Sequence, residues 1–205
     1  ADAHVVREFD LESRAFVPDG FVLPEAKSRF GWKDADSIYV GTDFGPGSLT
    51  RSGYPRISKL WRRGQPLEQA TTVYEGQEDD LAVDAFHDRF PGFERDFVAR
   101  RIDFYTSELF LLGDDGTLTL VDLPRDAEAG THGPWLLVSP RTEWTVGGRT
   151  YASGALLAAR FDDWLAGKRE LVALFEPSET TALSSYSGTR NHLVLQILDD
   201  VKSRV

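Results

Sequence analysis

The residues weighed first for chemistry are four histidines, a scatter of serines and 33 carboxylates; there is no cysteine to act as a thiolate nucleophile or zinc ligand. The histidines sit in unrelated settings. His4 lies near the amino end, His87 ends a strand-like run in Phe86-His87-Asp88, His132 falls in a loop Gly130-Thr131-His132-Gly133, and His192 begins the last apolar run. Each is expected to fill an ordinary surface or strand-end role. A serine nucleophile on a strained strand-to-helix turn requires Gly-x-Ser-x-Gly, since only small flanking residues permit that geometry. No serine here has glycine at both flanking positions.

Metal binding would require histidines one helical turn apart or an Asp-rich loop with a glycine at its turn. Glu78-Asp79-Asp80 and Asp114-Asp115 come nearest, but both lie between strands, where aspartate serves turns and solubility. With so many acids, chance pairs are certain, and nothing singles out two for glycoside hydrolysis. The segment Gly41-Thr42-Asp43-Phe44-Gly45-Pro46-Gly47-Ser48 lacks the Gly-Lys-Ser/Thr and the following helix of a phosphate loop, so it reads as a connection. Trp32, Trp61, Trp135, Trp144 and Trp164 are expected chiefly in the core. Trp61, beside Lys59, Arg62 and Arg63, is the best candidate for an exposed binding position. No residue is assigned to catalysis, to a cofactor or to a metal, and substrate-binding residues are left unknown.

The elements that would position such groups are strands. Short runs rich in Val, Leu, Phe, Tyr and Thr recur between Gly, Pro and Asp clusters, with almost no sustained helical period. The runs are 5–9, 28–32, 37–42, 56–62, 71–75, 81–86, 97–104, 109–112, 117–121, 135–138, 155–160, 171–175, 183–186 and 193–198. Gly113-Asp114-Asp115-Gly116 predicts a hairpin turn. One helical turn is expected over Asp162–Ala166, capped by Asp and stopped by Gly167. Four segments end alike: Phe21–Glu25, Thr72–Glu75, Val121–Pro124 and Leu174–Pro177. Their spacing of roughly 50 residues is that of a four-stranded propeller blade, whereas a β-sandwich has no reason to repeat at that interval. The fold class is therefore all-β, a partial β-propeller of about three to four four-stranded antiparallel blades. Three blades are expected at about 28–75, 81–121 and 135–175, with partial neighbours at both ends.

Net charge of -10, from 23 basic and 33 acidic residues spread along the chain, opposes nucleic acid and anionic membrane surfaces as partners. The sequence contains no apolar run of about 18 residues that could span a bilayer. Absence of cysteine suits cytoplasm and periplasm alike. The start Ala1-Asp2-Ala3-His4 has no initiator Met, and the end at Val205 directly follows an apolar run, so both ends read as cut points.

Val5–Asp10, Asp19–Ser28, Trp32–Asp36 and Gly41–Gly45, with Ser52–Arg56, Pro91–Glu94 and Trp144–Gly148 further on, resemble the propeller of bacterial prolyl oligopeptidases over essentially all 205 residues. The resemblance implies a seven-bladed parent propeller set as a lid over an α/β-hydrolase domain with a Ser-Asp-His triad. Here that domain and its nucleophile motif are missing, so no catalytic residue carries over. What it implies is a non-catalytic module that gates short peptides on their way to a serine peptidase site elsewhere in the parent chain. The hydrolase domain and those peptides would be its partners, and no cofactor is implied. The Gly41–Ser48 loop would lie on a surface facing that domain. Two other readings stay open: a stand-alone propeller that binds proteins, and a carbohydrate-active propeller. Uncovered blade edges are expected to let the chain self-associate.

Overall fold

In the computed structural model, which describes residues 2–205, the chain forms 21 strands, one short α-helix and one 3₁₀ turn. It divides into two compact units, one holding the residues up to 120 apart from 90–93, the other 90–93 and 121–205.

The first unit opens with β1 (His4–Arg7), paired antiparallel to β4 (Val22–Ala26), with a small hairpin of β2 (Phe9–Asp10) and β3 (Ala15–Phe16) between them. β4, which contains Pro24, falls on Phe21–Glu25, the first of the four similar apolar endings. Proline is tolerated there since β4 pairs on one side only. Two four-stranded antiparallel sheets follow. One runs β5 (Arg29–Asp34), β6 (Ser37–Gly41), β7 (Ile57–Arg62), β8 (Thr71–Glu75). The other runs β9 (Ala82–Asp88), β10 (Arg95–Arg101), β11 (Ser107–Leu112), β12 (Leu118–Leu120). Each is a simple meander in chain order, the form of a propeller blade. β6 is apolar and β-branched in the middle and buried along its whole length, as an inner strand covered on both faces must be. The run expected over 97–104 stops at Arg101. There the Asp103 carboxylate accepts the Tyr105 and Thr106 N–H groups at 2.7 and 2.8 Å and turns the chain, leaving Phe104 exposed. The predicted hairpin at 113–116 is present, with Gly116 at φ +83° donating to the Gly113 carbonyl at 2.9 Å.

Apolar side chains of the two sheets meet in a cluster of Tyr39, Val83, Ala85, Val98 and Leu112. The amino-terminal strands are joined to the first sheet by Phe21, which packs edge-on to Trp32 and Trp61 at 5.7 and 4.9 Å. Arg63 reinforces this with hydrogen bonds of 2.9 and 3.0 Å to the two Glu8 oxygens.

The second unit holds a four-stranded sheet in the order β13 (Glu128–His132), β14 (Trp135–Ser139), β17 (Leu156–Arg160), β18 (Val172–Phe175). The hairpin β15 (Trp144–Val146) and β16 (Arg149–Tyr151) is inserted between its second and third strands. The sheet starts at 128 and not at 135: His132, expected in a loop, ends β13, where it pairs with Trp135. Helix α1 (Phe161–Leu165) begins one residue earlier than expected. Its N-cap is Arg160 and makes no side-chain cap, so Asp162 and Asp163 contribute only negative charge to the first turn. Gly167 at φ +89° ends it, as expected. The last sheet, β19 (Thr181–Gly188), β20 (Leu193–Asp199), β21 (Lys202–Arg204), is three-stranded. Leu183, Tyr186, Leu193 and Leu195 pack against Leu137, Leu156 and Ala158.

Candidate functional site

Three cavities are lined by polar and aromatic groups, and each lies within one unit. In the first unit β5 and β9, the first strands of their sheets, run beside one another. Between them is a cavity of about 430 Å³. Its charged wall is Asp84, with Arg29 Nε 3.3 Å from one carboxylate oxygen and Arg101 Nε 3.1 Å from the other. Phe30 and Phe86, both substantially exposed, form the apolar wall. Buried Ser28 at its edge is held by Thr42, hydroxyl to hydroxyl at 2.7 Å.

A second, shallower cavity of about 570 Å³ opens beside Glu8, Trp32, Lys33, Arg63, His87 and Arg89. Behind it Asp96, almost fully buried, accepts from Lys33 Nζ and lies 2.8 Å from His87 Nδ1. The buried Tyr39 phenol lies against the same carboxylate, and burial first, then the charge of Asp96, push its pKa up. A carboxylate orienting an imidazole is half of a nucleophilic triad. The other half is missing: the described residues that line this cavity include no hydroxyl or thiol for His87 to activate. Glycosidase chemistry needs one acid held protonated, and two of the carboxylates lining this cavity are shifted the other way. Arg63 lowers the pKa of Glu8, and Ser37 lowers that of Asp34.

The third cavity, about 260 Å³ in the second unit, is apolar, with Trp135, Leu137, Ala158 and Val172 on its walls and His132 and His192 at its rim. His132 packs edge-on to Phe90 at 4.8 Å. His192 ends a tight turn in which its N–H donates to Thr189 Oγ1 at 3.0 Å. His4 lies at the start of β1, its ring 6.4 Å from Phe30. The four histidines thus occupy four places, and among the described residues only His87 pairs with a carboxylate side chain.

The acidic segments weighed for metal are engaged by other groups. Asp80 receives a fork of two 2.9 Å bonds from Arg100 and a third from the Gln77 N–H at 2.6 Å. Asp79 pairs with Arg51. Asp115 accepts the Thr117 N–H at 2.9 Å within its turn. Among the described residues no group of three His, Asp or Glu side chains is placed to hold a metal ion. Gly41–Ser48 is a connection, as expected, closed by Ser48 Oγ accepting from the Phe44 N–H and donating to the Gly45 carbonyl at 2.6 Å. Trp61 is not an exposed binding residue. It is buried, and its indole N–H donates to the Gln65 carbonyl at 2.8 Å; Arg62 lies on the opposite side of the strand and Arg63 beyond its end, while Lys59, on the same side, sits over the Phe44 ring at 4.3 Å. Among the rings that line these cavities, Trp32, Trp135, Phe30 and Phe86 reach solvent. Alternation on β5 and β9 is the signal that could have found three of them, since residues two apart share a face.

No family model matches the chain. It is 34% identical over 213 residues to an uncharacterized peptidase of Sinorhizobium fredii, in an alignment covering 100% of this chain and 29% of the relative. Among solved structures it superposes on a post-proline cleaving enzyme from Rickettsia typhi with a TM-score of 0.90 and 26% identity, covering 98% of this chain and 32% of that one. It also superposes on one of two structurally analysed prolyl endopeptidases, with a TM-score of 0.71 and 17% identity, covering 99% of this chain and 29% of that one, a likeness of fold alone. The chain spans under a third of the length of these relatives.

Proposed function

Because the chain belongs to the propeller portion of the prolyl oligopeptidase family, we propose that it is the non-catalytic part of a longer peptidase and restricts which peptides reach a Ser-Asp-His site in an α/β-hydrolase domain of the same parent. On this reading residues 28–75, 81–121 and 135–175 are blades of a seven-bladed ring. The observation that carries the reading is similarity to peptidases along the whole of this chain, joined to an imidazole–carboxylate pair, His87 and Asp96, beside a cavity whose described lining offers no hydroxyl or thiol. Exclusion by size needs no reactive residue, only a rigid wall with a narrow opening or a lid that swings on a hinge.

The test is made on the parent peptidase, by comparing turnover of a short proline-containing chromogenic peptide with that of the same sequence inside a folded protein. The intact parent should cleave only the first, and a version lacking these blades should lose that preference. Genuine turnover by the pure 205-residue chain, abolished by a serine-directed inhibitor, would overturn the proposal.

Pairing between copies through uncovered sheet edges follows from the same reading. Light scattering should show mass rising with concentration, and a double change Val172→Lys and Leu174→Lys on the exposed strand β18 should suppress it. A strict monomer at high concentration would count against it.

A further inference from the structure

The cavity between β5 and β9 carries a charge pattern that packing alone does not require. Asp84 is largely shielded, whereas Arg29 and Arg101, which flank it, are each about half exposed. One carboxylate neutralises one guanidinium. The other leaves a local positive charge on a chain whose formal net charge is -10. Both arginines reach Asp84 through Nε. Most of a guanidinium's N–H donors sit on its terminal nitrogens, in a planar fork matched to a carboxylate.

The space beside these charges is real. A Cβ built on Gly31 would meet nothing within 4 Å, so this residue is small without any packing reason. Gly41, also on the wall, differs: a Cβ there would press on Pro55 at 2.8 Å. Phe30 and Phe86 offer apolar surface next to the guanidiniums, and Phe86 is held in place by stacking on Phe97 at 5.4 Å between centroids.

We propose that this cavity binds a carboxylate carried beside an apolar side chain, as on a short peptide, with Arg29 and Arg101 holding the charge and Phe30 and Phe86 the apolar group. That the ligand is a peptide rests on the gating reading above; the anion site itself does not. The carboxylate has two sources, a peptide's C-terminus or an acidic side chain. In either case it competes with Asp84 for the same donors, so removing Asp84's charge strengthens binding where a purely structural pair would gain nothing.

The experiment is an NMR titration of the 205-residue chain with acetyl-Ala-Phe as the free acid, with its C-terminal amide, and with acetyl-Glu-Phe-amide. The free acid should shift amide resonances of Arg29–Gly31 and Asp84–Phe86, and the plain amide should bind at least about tenfold more weakly, the loss of one charge-assisted contact. The third peptide tells whether a side-chain carboxylate serves as well as a terminal one. Arg101→Gln should weaken the acid about tenfold, and Asp84→Asn should tighten it. Gly31→Leu keeps both arginines and fills the space, so it should abolish binding while resonances outside the cavity stay unchanged. Equal affinity for acid and amide, an Asp84→Asn variant that binds no tighter, or binding untouched by Gly31→Leu overturns the proposal. Size selection is read separately on the parent. Its loss with acid binding intact would defeat gating and leave this site standing, and the reverse result would do the opposite.

Discussion

Two sheet contacts, one in each unit, are built differently. Between β5–β8 and β9–β12 an apolar cluster is ringed by charged ties: Lys33 to Asp96, Arg29 to Asp84, and Arg89 to the Trp32 carbonyl at 2.8 Å. The segment joining the two sheets adds Asp80, gripped by Arg100 of β10. Between β13–β18 and β19–β21 the contact is one of leucines, Phe175 and Tyr186, and beyond it Trp135, Val172 and Leu174 remain partly open to solvent. Apolar area supplies energy without direction, whereas a forked ion pair fixes one angle and one register at little or no net gain in stability. The first contact is therefore the better specified, and the second depends more on volume.

The largest effect should come from breaking the tie at Asp80. Asp80→Ala leaves Arg100 partly buried, with Glu108 at 3.2 Å and the Tyr74 phenol beside it but without its forked partner, and should cost about 3–5 kcal/mol in urea unfolding. Restoring most of that loss by adding Arg100→Met would show that the pair directs more than it stabilises; no recovery would reverse the contrast drawn between the two contacts.

In the second unit Leu156, fully buried between β14 and the last sheet, should cost about 2–4 kcal/mol when changed to Ala. Hydrogen exchange should then speed up in β19 and β20 while β9 and β10 keep their protection. Uniform loss of protection would mean that the two contacts are not energetically separate.

Acid should sharpen the difference. Burial pushes the Asp80 carboxyl up, but the Arg100 fork and the Gln77 N–H more than offset this, and its pKa lies below the ordinary carboxylate value. A folded-state pKa below the unfolded one gives a contribution that is complete above about pH 4 and disappears as pH falls through the folded value. Unfolding followed from pH 6 downward should weaken over that lower range, and Asp80→Asn should flatten this part of the profile.

The smallest effect is expected at Arg149 and Glu176, an exposed pair whose two hydrogen bonds are both 2.9 Å. Glu176→Gln should change stability by less than about 1 kcal/mol, and 0.5 M salt should erase even that.

Strands with clear alternation or β-branched runs were legible in the sequence. Thr71–Glu75 and the core of β6, β7, β14 and β17 stand where the pattern put them, because burial of one or both faces writes itself into residue type. β13 was not legible, since Glu-Ala-Gly-Thr-His has neither alternation nor bulk; its partner β14 makes it a strand. The hairpin β15–β16 hid behind Gly147-Gly148, whose positive φ values of +59° and +77° form its turn. The approximate 50-residue recurrence marked β4 at Phe21–Glu25 and real outer strands at Thr72–Glu75 and Leu174–Phe175, whereas Val121–Pro124 lies just past β12. The sites were far less legible. Arg29, Asp84 and Arg101 come from three strands, and Lys33 and Asp96 lie 63 residues apart; only the stacking of sheets brings such groups together, and no local pattern encodes it.

Strand β17 shows what a segment loses when both sides are equally greasy. Leu156 and Ala158 serve one cluster, Leu157 and Ala155 the other, so sliding the strand by one position exchanges oil for oil and rouses no penalty from water. Alignment has to be policed by other means: the irregular step opposite Leu156 and Leu157, and Arg160 parked over the Trp135 ring at 5.2 Å, which cannot be drawn inward. Single-residue insertions in this stretch should for that reason be silent in hydrophobicity profiles and conspicuous in the misplacement of one arginine.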